Sequence, residues 1–316
     1  NPNLAAVLLI GLGCEGTEMP AVQEAVAACG KPVQTLFIQE LGGAAKTTAK
    51  GVLIAQEMAI QASRLQPQEC DASDIVLGLK CGSSDTTSGL AANPALGVVV
   101  EKLVAENAVV ILGEVTEFIG AEHILAAQAK DEATGRRILE LVERMENRAK
   151  AVGVDMRGGQ PTPGNIAGGL TTIEEKSLGA IAKAGSAVVQ DVYEYGRTPR
   201  VKGLVVMDSP GREPEILTGL AAAGCNLITF TTGRGAPQGF PFVPVIKITG
   251  NEKTWRHLRD HMDLSVHQVM DGRESLGQAG TRIYEEIETV ASGTKTKAEI
   301  SGYVQAMDIY VTGPVI

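Results

Sequence analysis

Aromatic side chains are scarce in this 316-residue chain: only 3% of its residues are Phe, Trp or Tyr, whereas it contains 37 glycines. A core for a chain of this length must therefore be built mainly from Val, Ile, Leu and Ala. Aliphatic runs bounded by glycine are typical of buried parallel strands that alternate with helices. The composition thus predicts an α/β protein.

Other features that are missing argue against several classes of protein. No apolar run approaches the length of a membrane span, and no basic segment precedes the first apolar run. The net charge is −9 and no cluster of Lys and Arg offers a nucleic-acid surface. The five cysteines form no C-x-x-C pair, which argues against a zinc ribbon or a thioredoxin-like motif. Their odd number, without a secretion signal, predicts reduced thiols in the cytoplasm.

Strand-like and helix-like patterns alternate along the chain. Apolar runs at 5–13, 32–39, 74–82, 108–115, 203–211, 226–235 and 243–250 read as strands, with helical spacing between them. A stretch rich in Gly, Pro and Thr at 155–175 interrupts the alternation and reads as a linker or a long functional loop. We expect two Rossmann-like domains with mostly parallel sheets: residues 1–155, truncated at the N-terminus, and residues 156–316.

Turns rich in glycine or hydroxyl groups follow five of the predicted strands: GLGCEG, GLKCGSSD, LGEVTE, VMDSPG and FTTGRG. In an open parallel sheet, ligands bind at the carboxyl ends of the strands, so these turns are the candidate binding loops. GLGCEG is a weak dinucleotide fingerprint, because it lacks the full G-x-G-x-x-G and puts Glu15 where a phosphate would lie. A tight turn that needs glycine for its geometry is favoured there.

Carboxylates at strand ends are the most informative candidates. Asp85 lies in GLKCGSSDTTSG, residues 78–89, and Glu114 follows the next strand. Such carboxylates can act as acid or base or hold a hard divalent ion. Glu122 and His123 have an equally good interpretation as a helix N-terminus, where acidic residues are favoured. Cys81, in the same segment as Asp85, is read either as a ligand of a soft metal or as a small buried hydrophobic residue.

Two later segments carry groups suited to an anion. PTPGNIAGGLTTIEEKSLG, residues 161–179, offers Asn165 and Lys176, although Lys176 has the alternative interpretation of a solvated side chain. FTTGRG places Thr232 and Arg234 after a strand, and backbone amides with one Arg fit a carboxylate. His257 and His261 lack the Glu of an H-E-x-x-H motif, so a polar helix face is favoured for them.

Five segments together resemble one known family: GLGCE, GLKCGSSDTTSGLAANPALG, EVTEFIGAE, PTPGNIAGGLTTIEEKSLG and GCNLITFTTGRG. In this order they are similar to the large, C-terminal catalytic portion of the altronate and galactarate dehydratases. The resemblance implies a hydro-lyase that eliminates water from a sugar acid to give a 2-keto-3-deoxy acid, with Fe²⁺ or Mn²⁺ as cofactor. The large subunit of sulfolactate sulfo-lyase is related, so a carbon–sulfur lyase that releases sulfite and pyruvate is the alternative.

The resemblance also implies roles for individual residues. The implied catalytic residues are Asp85, Glu114 and Lys176. The implied substrate-binding residues are Ser84, Thr86, Thr87, Asn165, Thr232 and Arg234. The implied metal ligands are Cys81, Glu114 and Glu122.

Two departures from the family pattern leave the substrate open. Ser83 stands where the family's dehydratases have glycine, and His123 stands where those dehydratases have a different residue. The expected partners are a small anionic hydroxy acid, a missing N-terminal segment or small covering domain or subunit, and further copies in a homo-oligomer. A non-catalytic sugar-acid-binding module is a second alternative, because hydroxyl and acidic residues at strand ends suit binding without chemistry.

Overall fold

The computed structural model describes residues 1–313, which form two compact units, residues 2–70 and residues 71–313. Each unit contains a parallel sheet with helices packed against it, which confirms the predicted α/β class. Every helix within residues 1–313 is too short or too polar to cross a membrane. All five cysteines are free thiols.

The smaller unit is a two-stranded sheet with two helices. Its elements are β1 (Val7–Gly11), α1 (Met19–Ala28), β2 (Val33–Phe37) and α2 (Ala44–Ala62). The strands are parallel, with Val7 opposite Val33. In the turn after β1, the amide N–H of Gly13 donates to Oε2 of Glu15 over 2.6 Å. The Glu15 carboxylate thus already accepts a hydrogen bond from a backbone amide that a bound phosphate would need. This contact supports the tight-turn interpretation of GLGCEG.

The larger unit holds the remaining seven strands and ten α-helices of residues 71–313. Its strands are β3 (Val76–Gly82), β4 (Val109–Leu112), β5 (Val189–Tyr193), β6 (Gly203–Met207), β7 (Leu227–Thr232), β8 (Val245–Thr249) and β9 (Leu264–Ser265). Its helices are α3 (Asn93–Ala105), α4 (Glu122–Ala127), α5 (Glu132–Ala151), α6 (Met156–Gly159), α7 (Pro163–Ala167), α8 (Ile173–Ile181), α9 (Glu213–Ala222), α10 (Glu252–His257), α11 (Leu276–Ala291) and α12 (Lys297–Ser301).

All seven strands are parallel, in the order β5-β6-β4-β3-β7-β8-β9. Side chains alternate between two hydrophobic clusters, one on each face of the sheet. In β4, Val110 and Leu112 join the cluster that contains α3 and α11, whereas Val109 and Ile111 join the cluster that contains α9. Because both faces are covered, the strands read as continuous apolar runs, as the sequence indicated.

The units divide at residue 70, not at the expected boundary near 155. Strands β3 and β4 precede residue 155 and share one sheet with β5 to β9, which follow it. The stretch at 155–175 is a connecting segment inside the larger unit and contains the short helices α6 and α7. In α7, Nδ2 of Asn165 donates to the carbonyl of Ser84 over 2.9 Å. Linkers and long functional loops share a Gly- and Pro-rich composition, so composition alone misplaced the boundary.

Helix α3 approaches the turn after α8 so closely that it needs a glycine. A Cβ on Gly97 would lie 2.6 Å from the carbonyl oxygen of Ala182 and 3.0 Å from Cα of Gly185. The turn between Ala182 and Gly185 carries Lys183, which is fully buried. Gly97 therefore lets the backbone bring Lys183 against the carboxyl end of the sheet.

We expect Gly97→Ala to lower the free energy of unfolding by about 1–3 kcal/mol, because backbone atoms on both sides must move apart. The matched control is Gly277→Ala, in the first turn of α11, where an added Cβ meets only Oγ of Ser275 at 3.9 Å. Alanine at this helical position should leave stability unchanged or raise it slightly. Urea unfolding of both variants checks this, and equal stability would contradict the close approach.

Candidate active site

The centre of the larger sheet is a topological switch point. The chain leaves β3 toward β4 on one side, and leaves β7, the neighbour of β3 on the other side, toward β8. The loops that follow β3 and β7 therefore diverge and leave a crevice between them, which is where open parallel sheets bind ligands. Asp85 follows β3 and Arg234 follows β7, and the amide of Arg234 donates to the carbonyl of Ser83 over 3.3 Å. The switch point thus brings these two predicted residues together.

The Asp85 carboxylate is buried and held by neutral donors. Its Oδ1 accepts from the hydroxyl of Thr87 over 2.7 Å, and from the amide and hydroxyl of Ser88 over 2.9 and 3.2 Å. Its Oδ2 accepts from Nδ2 of Asn251 over 2.8 Å. The side chain is consequently fixed in one orientation without an ion pair to any residue that the structure describes.

Two glycines allow the backbone to close around Asp85. A Cβ on Gly233 would lie 2.1 Å from Cγ of Asp85, and one on Gly168 would lie 2.7 Å from its Cβ. Neither glycine has a positive φ, so the constraint is steric rather than conformational. The glycines of FTTGRG and PGNIAGG therefore serve the approach of two loops to one carboxylate.

Asp85 borders a pocket of about 580 Å³, the switch-point pocket. This volume is within the range of sites that bind small molecules. The pocket is lined by Asp85, Thr87, Ala167, Gly168, Arg234, Asn251, Lys253, Thr254, His257 and Leu258.

The other predicted substrate-binding residues shape the loops and do not line this pocket. The hydroxyl of Thr86 donates to the carbonyl of Gly168 over 3.1 Å, and Thr232 Oγ1 accepts from the amide of Gly235 over 3.0 Å. Asn165 caps α7 and binds the carbonyl of Ser84. Of the six residues, Thr87 and Arg234 line the pocket, whereas Ser84, Thr86, Asn165 and Thr232 do not.

Ser83 adopts a left-handed backbone conformation, with φ of 50°. Glycine takes this conformation at less cost than any other residue. The glycine that the family resemblance implies at this position therefore has a physical reason. Ser83 adopts the left-handed conformation with some strain.

A second group of predicted residues lies at the same end of the sheet but under the surface. Glu114, at φ of 67° directly after β4, is fully buried between two ammonium groups. Its Oε1 is 2.6 Å from Nζ of Lys80 and its Oε2 is 2.8 Å from Nζ of Lys183. The amide of Cys81 also donates to Oε2, over 2.7 Å. One carboxylate thereby joins β3, β4 and the turn after α8.

The network continues outward from Lys183. Its Nζ donates to Sγ of Cys81 over 3.0 Å, and Sγ lies 3.7 Å from Oε2 of Glu117. The other oxygen of Glu117 pairs with Lys176 over 3.1 Å, and Lys176 also donates to Oε1 of Gln160 over 2.9 Å. Lys176 is thus engaged in this network, and the alternative of a freely solvated side chain does not hold.

The charges in the network determine each other's protonation. Burial alone would raise the pKa of Glu114, but Lys183 and Lys80 outweigh it and hold the pKa below its ordinary value. Burial opposes the ammonium forms too, yet the facing groups raise the pKa values of both lysines. Burial, and after it the charge of Glu114, raises the pKa of the Cys81 thiol to about 12. At neutral pH the network therefore contains charged lysines, a charged Glu114 and a neutral thiol.

The predicted metal ligands do not form a metal site in the described part of the chain. Cys81 and Glu114 are neighbours, but two ammonium groups face Glu114, and a metal would need the thiolate of Cys81. Glu122 pairs instead with Arg157 over 3.0 Å. No group of three or more His, Cys, Asp and Glu side chains within residues 1–313 is arranged to hold a metal ion. These residues do not fit Fe²⁺ or Mn²⁺.

Sequence reasoning missed several residues of the site. Lys80 carried a usable signal, because a lysine inside an apolar, doubly covered strand requires a buried partner. Lys183 carried none, since its helical surroundings read like any amphipathic segment. Asn251 and Lys253 were also missed, because only the packing of α10 on the β7 loop, through the 2.6 Å bond from Thr254 Oγ1 to the carbonyl of Gly233, brings them to the pocket.

Comparison with known protein families agrees with this architecture. Residues 72–313 match the family described as D-galactarate/altronate dehydratase, C-terminal, and residues 1–63 match the second domain of D-galactarate dehydratase/altronate hydrolase. The chain belongs to the D-galactarate/altronate dehydratase family. The two matched regions of this family member meet between residues 63 and 72, where the structure also divides.

Three curated relatives show the range of the D-galactarate/altronate dehydratase family. The (2R)-sulfolactate sulfo-lyase subunit beta of Chromohalobacter salexigens is 38% identical over 307 residues, 96% of this chain and 78% of the relative. The L-threo-forming galactarate dehydratase of Escherichia coli is 34% identical over 302 residues, 93% of this chain and 58% of the relative. The altronate dehydratase of Bacillus subtilis is 37% identical over 256 residues, 81% of this chain and 50% of the relative. All three relatives are lyases by name.

We expect Glu114→Gln to lower the free energy of unfolding by about 3–5 kcal/mol, because two buried ammonium groups lose their shared counter-charge. Glu132→Gln is the matched control, since Glu132 pairs with Arg136 on the exposed face of α5. That exposed i,i+4 pair should contribute only about 0.3–0.5 kcal/mol. Denaturant unfolding at neutral pH measures both variants, and a Glu114→Gln protein as stable as the control would show that Glu114 does not neutralise the two lysines.

Proposed function

We propose that this chain carries the catalytic centre of a lyase that eliminates water from a sugar acid of the altronate or galactarate type, giving a 2-keto-3-deoxy acid. The observation that carries the proposal is the buried Asp85 carboxylate, oriented by four hydrogen bonds at the edge of a polar pocket that also holds Arg234. Membership of a family whose relatives are named dehydratases supports the same reaction type.

In this proposal Asp85 is the base and Arg234 binds the substrate carboxylate. A guanidinium paired with the carboxylate stabilises the enediolate that forms when the neighbouring carbon loses its proton to Asp85. Asp85 returns the proton to the departing β-hydroxyl, so that water leaves and the enol product tautomerises to the 2-keto acid. The hydroxyl of Thr87 and the amide of Asn251 hold Asp85 throughout.

Glu114 and Lys176 have a different role in this scheme. Glu114 is fully buried, and neither residue lines the switch-point pocket. We assign both to the ionic network that anchors the ends of β3 and β4, below the loop that carries Asp85. The Fe²⁺ or Mn²⁺ implied by the family resemblance has no place in the steps above, because the described residues do not fit it.

Release of sulfite and pyruvate from sulfolactate is the second candidate function. The observation that favours it is the similarity to the (2R)-sulfolactate sulfo-lyase subunit beta of Chromohalobacter salexigens, which is 38% identical over 307 residues. The relative is named as a subunit, so a companion subunit that covers the site belongs to this candidate. Removal of the proton next to the carboxylate is common to both candidates, and only the leaving group differs.

The deciding experiment uses the full-length protein with any companion subunit, prepared without oxygen and assayed with Fe²⁺, with Mn²⁺ and without added metal. Altronate, galactarate and sulfolactate are supplied in parallel, and 2-keto acid and sulfite are measured. Keto acid from a sugar acid without sulfite is the expected result. Sulfite from sulfolactate alone would favour the sulfo-lyase. Binding of a sugar acid without turnover under any condition would favour the non-catalytic module.

We expect Asp85→Asn to lower kcat for the active substrate by about 100- to 10,000-fold, because the base is lost while the loop keeps its shape. Asp271→Asn is the matched control: Asp271 is exposed, pairs with Arg273 and lies away from the pocket. Steady-state kinetics on both variants test the assignment. Undiminished kcat in folded Asp85→Asn would remove Asp85 from the chemistry.

A further inference from the structure

We propose that the switch-point pocket binds a dianionic hydroxy acid, with Arg234 and Lys253 as separate anchors for its two anionic groups. The second group is a carboxylate or a sulfonate. This inference rests on the proposed function, because it names the substrate class of the same site. Of the two sugar acids in that proposal, it therefore favours galactarate, which carries two negative charges, over altronate, which carries one.

The anchors come from different elements that meet at the pocket. Arg234 is on the loop after β7, and Lys253 is in the first turn of α10. The bond from Thr254 Oγ1 to the carbonyl of Gly233 holds the helix against the loop. Because the two cations reach the pocket from separate backbones, each can bind a different end of the acid, and Asp85 lines the same pocket.

The two cations are free to bind an anion. Among the described residues neither forms an ion pair, and the one hydrogen bond of the Arg234 side chain goes to the carbonyl of Gly164 over 3.2 Å. The acidic neighbour of Lys253, Glu252, is taken by Arg256 at 2.6 Å. Both Lys253 and Arg234 are exposed to solvent in the free protein.

The charge of the pocket differs from that of the chain as a whole. Acidic residues outnumber basic ones 37 to 28 in the sequence, yet the pocket has Arg234 and Lys253 against the single carboxylate of Asp85. That carboxylate already accepts four hydrogen bonds from neutral donors. The positive charges are therefore available to the ligand, and a ligand with two negative charges uses both.

His257 completes the pocket with a polar group suited to a hydroxyl. Its Nδ1 lies 2.8 Å from the carbonyl oxygen of Lys253, which can only accept, so Nδ1 carries the hydrogen. In the neutral ring, Nε2 is then an acceptor that a substrate hydroxyl can use. The pocket thus offers contacts for two anions and at least one hydroxyl.

Isothermal titration calorimetry on the full-length protein tests the inference without turnover. The probes are tartrate, which has two carboxylates, and glycerate, which has one carboxylate and the same number of hydroxyls. We expect tartrate to bind at least tenfold more tightly, and Lys253→Gln to weaken tartrate by about tenfold or more while changing glycerate less than threefold. Arg136→Gln, which removes an exposed positive charge on α5 outside the pocket, should leave both affinities unchanged.

The kinetic arm compares galactarate and sulfolactate with altronate in the same variants. We expect Lys253→Gln to raise KM for whichever dianion is turned over, with little effect on kcat. Equal binding of tartrate and glycerate, or an equal effect of Lys253→Gln on both, would overturn the inference even if the lyase activity is found. Tight, Lys253-dependent binding of tartrate by a protein without lyase activity would keep the inference and reject the proposed reaction.

Discussion

The Glu114 carboxylate, held between Lys80 and Lys183, is the interaction on which the carboxyl end of the larger sheet depends. It joins β3, the turn after β4 and the turn after α8 at distances of 2.6 and 2.8 Å, with no water-exposed surface. Two ammonium groups and one carboxylate are stable in the interior only if each has its partners. Any shift of these three segments would leave a buried charge unpaired, so the network fixes their relative positions.

The buried ionic network and the switch-point pocket have different roles. The network is ionised and rigid, and its outermost member, Lys176, is tied to Glu117 and Gln160. The pocket contains a carboxylate held by neutral donors and two cations that form no ion pair within residues 1–313. Charges that are already neutralised are suited to a structural role, whereas charges without an ion-pair partner are suited to binding a ligand. This contrast is the reason for assigning Glu114 to the scaffold and Asp85 to the chemistry.

Much of the fold was predictable because its signals are local. Aliphatic runs such as the one around Val110 identified buried parallel strands, and glycine turns identified where those strands end. The boundary near residue 155 could not be predicted in the same way, because membership of a sheet depends on which strands pair. The edge strand β5, with partly exposed Gln190 and Asp191, was missed because its pattern is not continuously apolar.

For the site, the sequence by itself determined which chemical groups follow the strands, and thereby indicated Asp85, Arg234 and Glu114. Only the tertiary structure decided that Asp85 and Arg234 share a pocket. It also decided that two lysines neutralise Glu114 and that Glu122 forms an ion pair with Arg157. The physical reason is that a residue's chemistry is set by what lies within a few ångströms of it. Those neighbours come from segments up to 166 residues apart, as with Asn251 and Asp85.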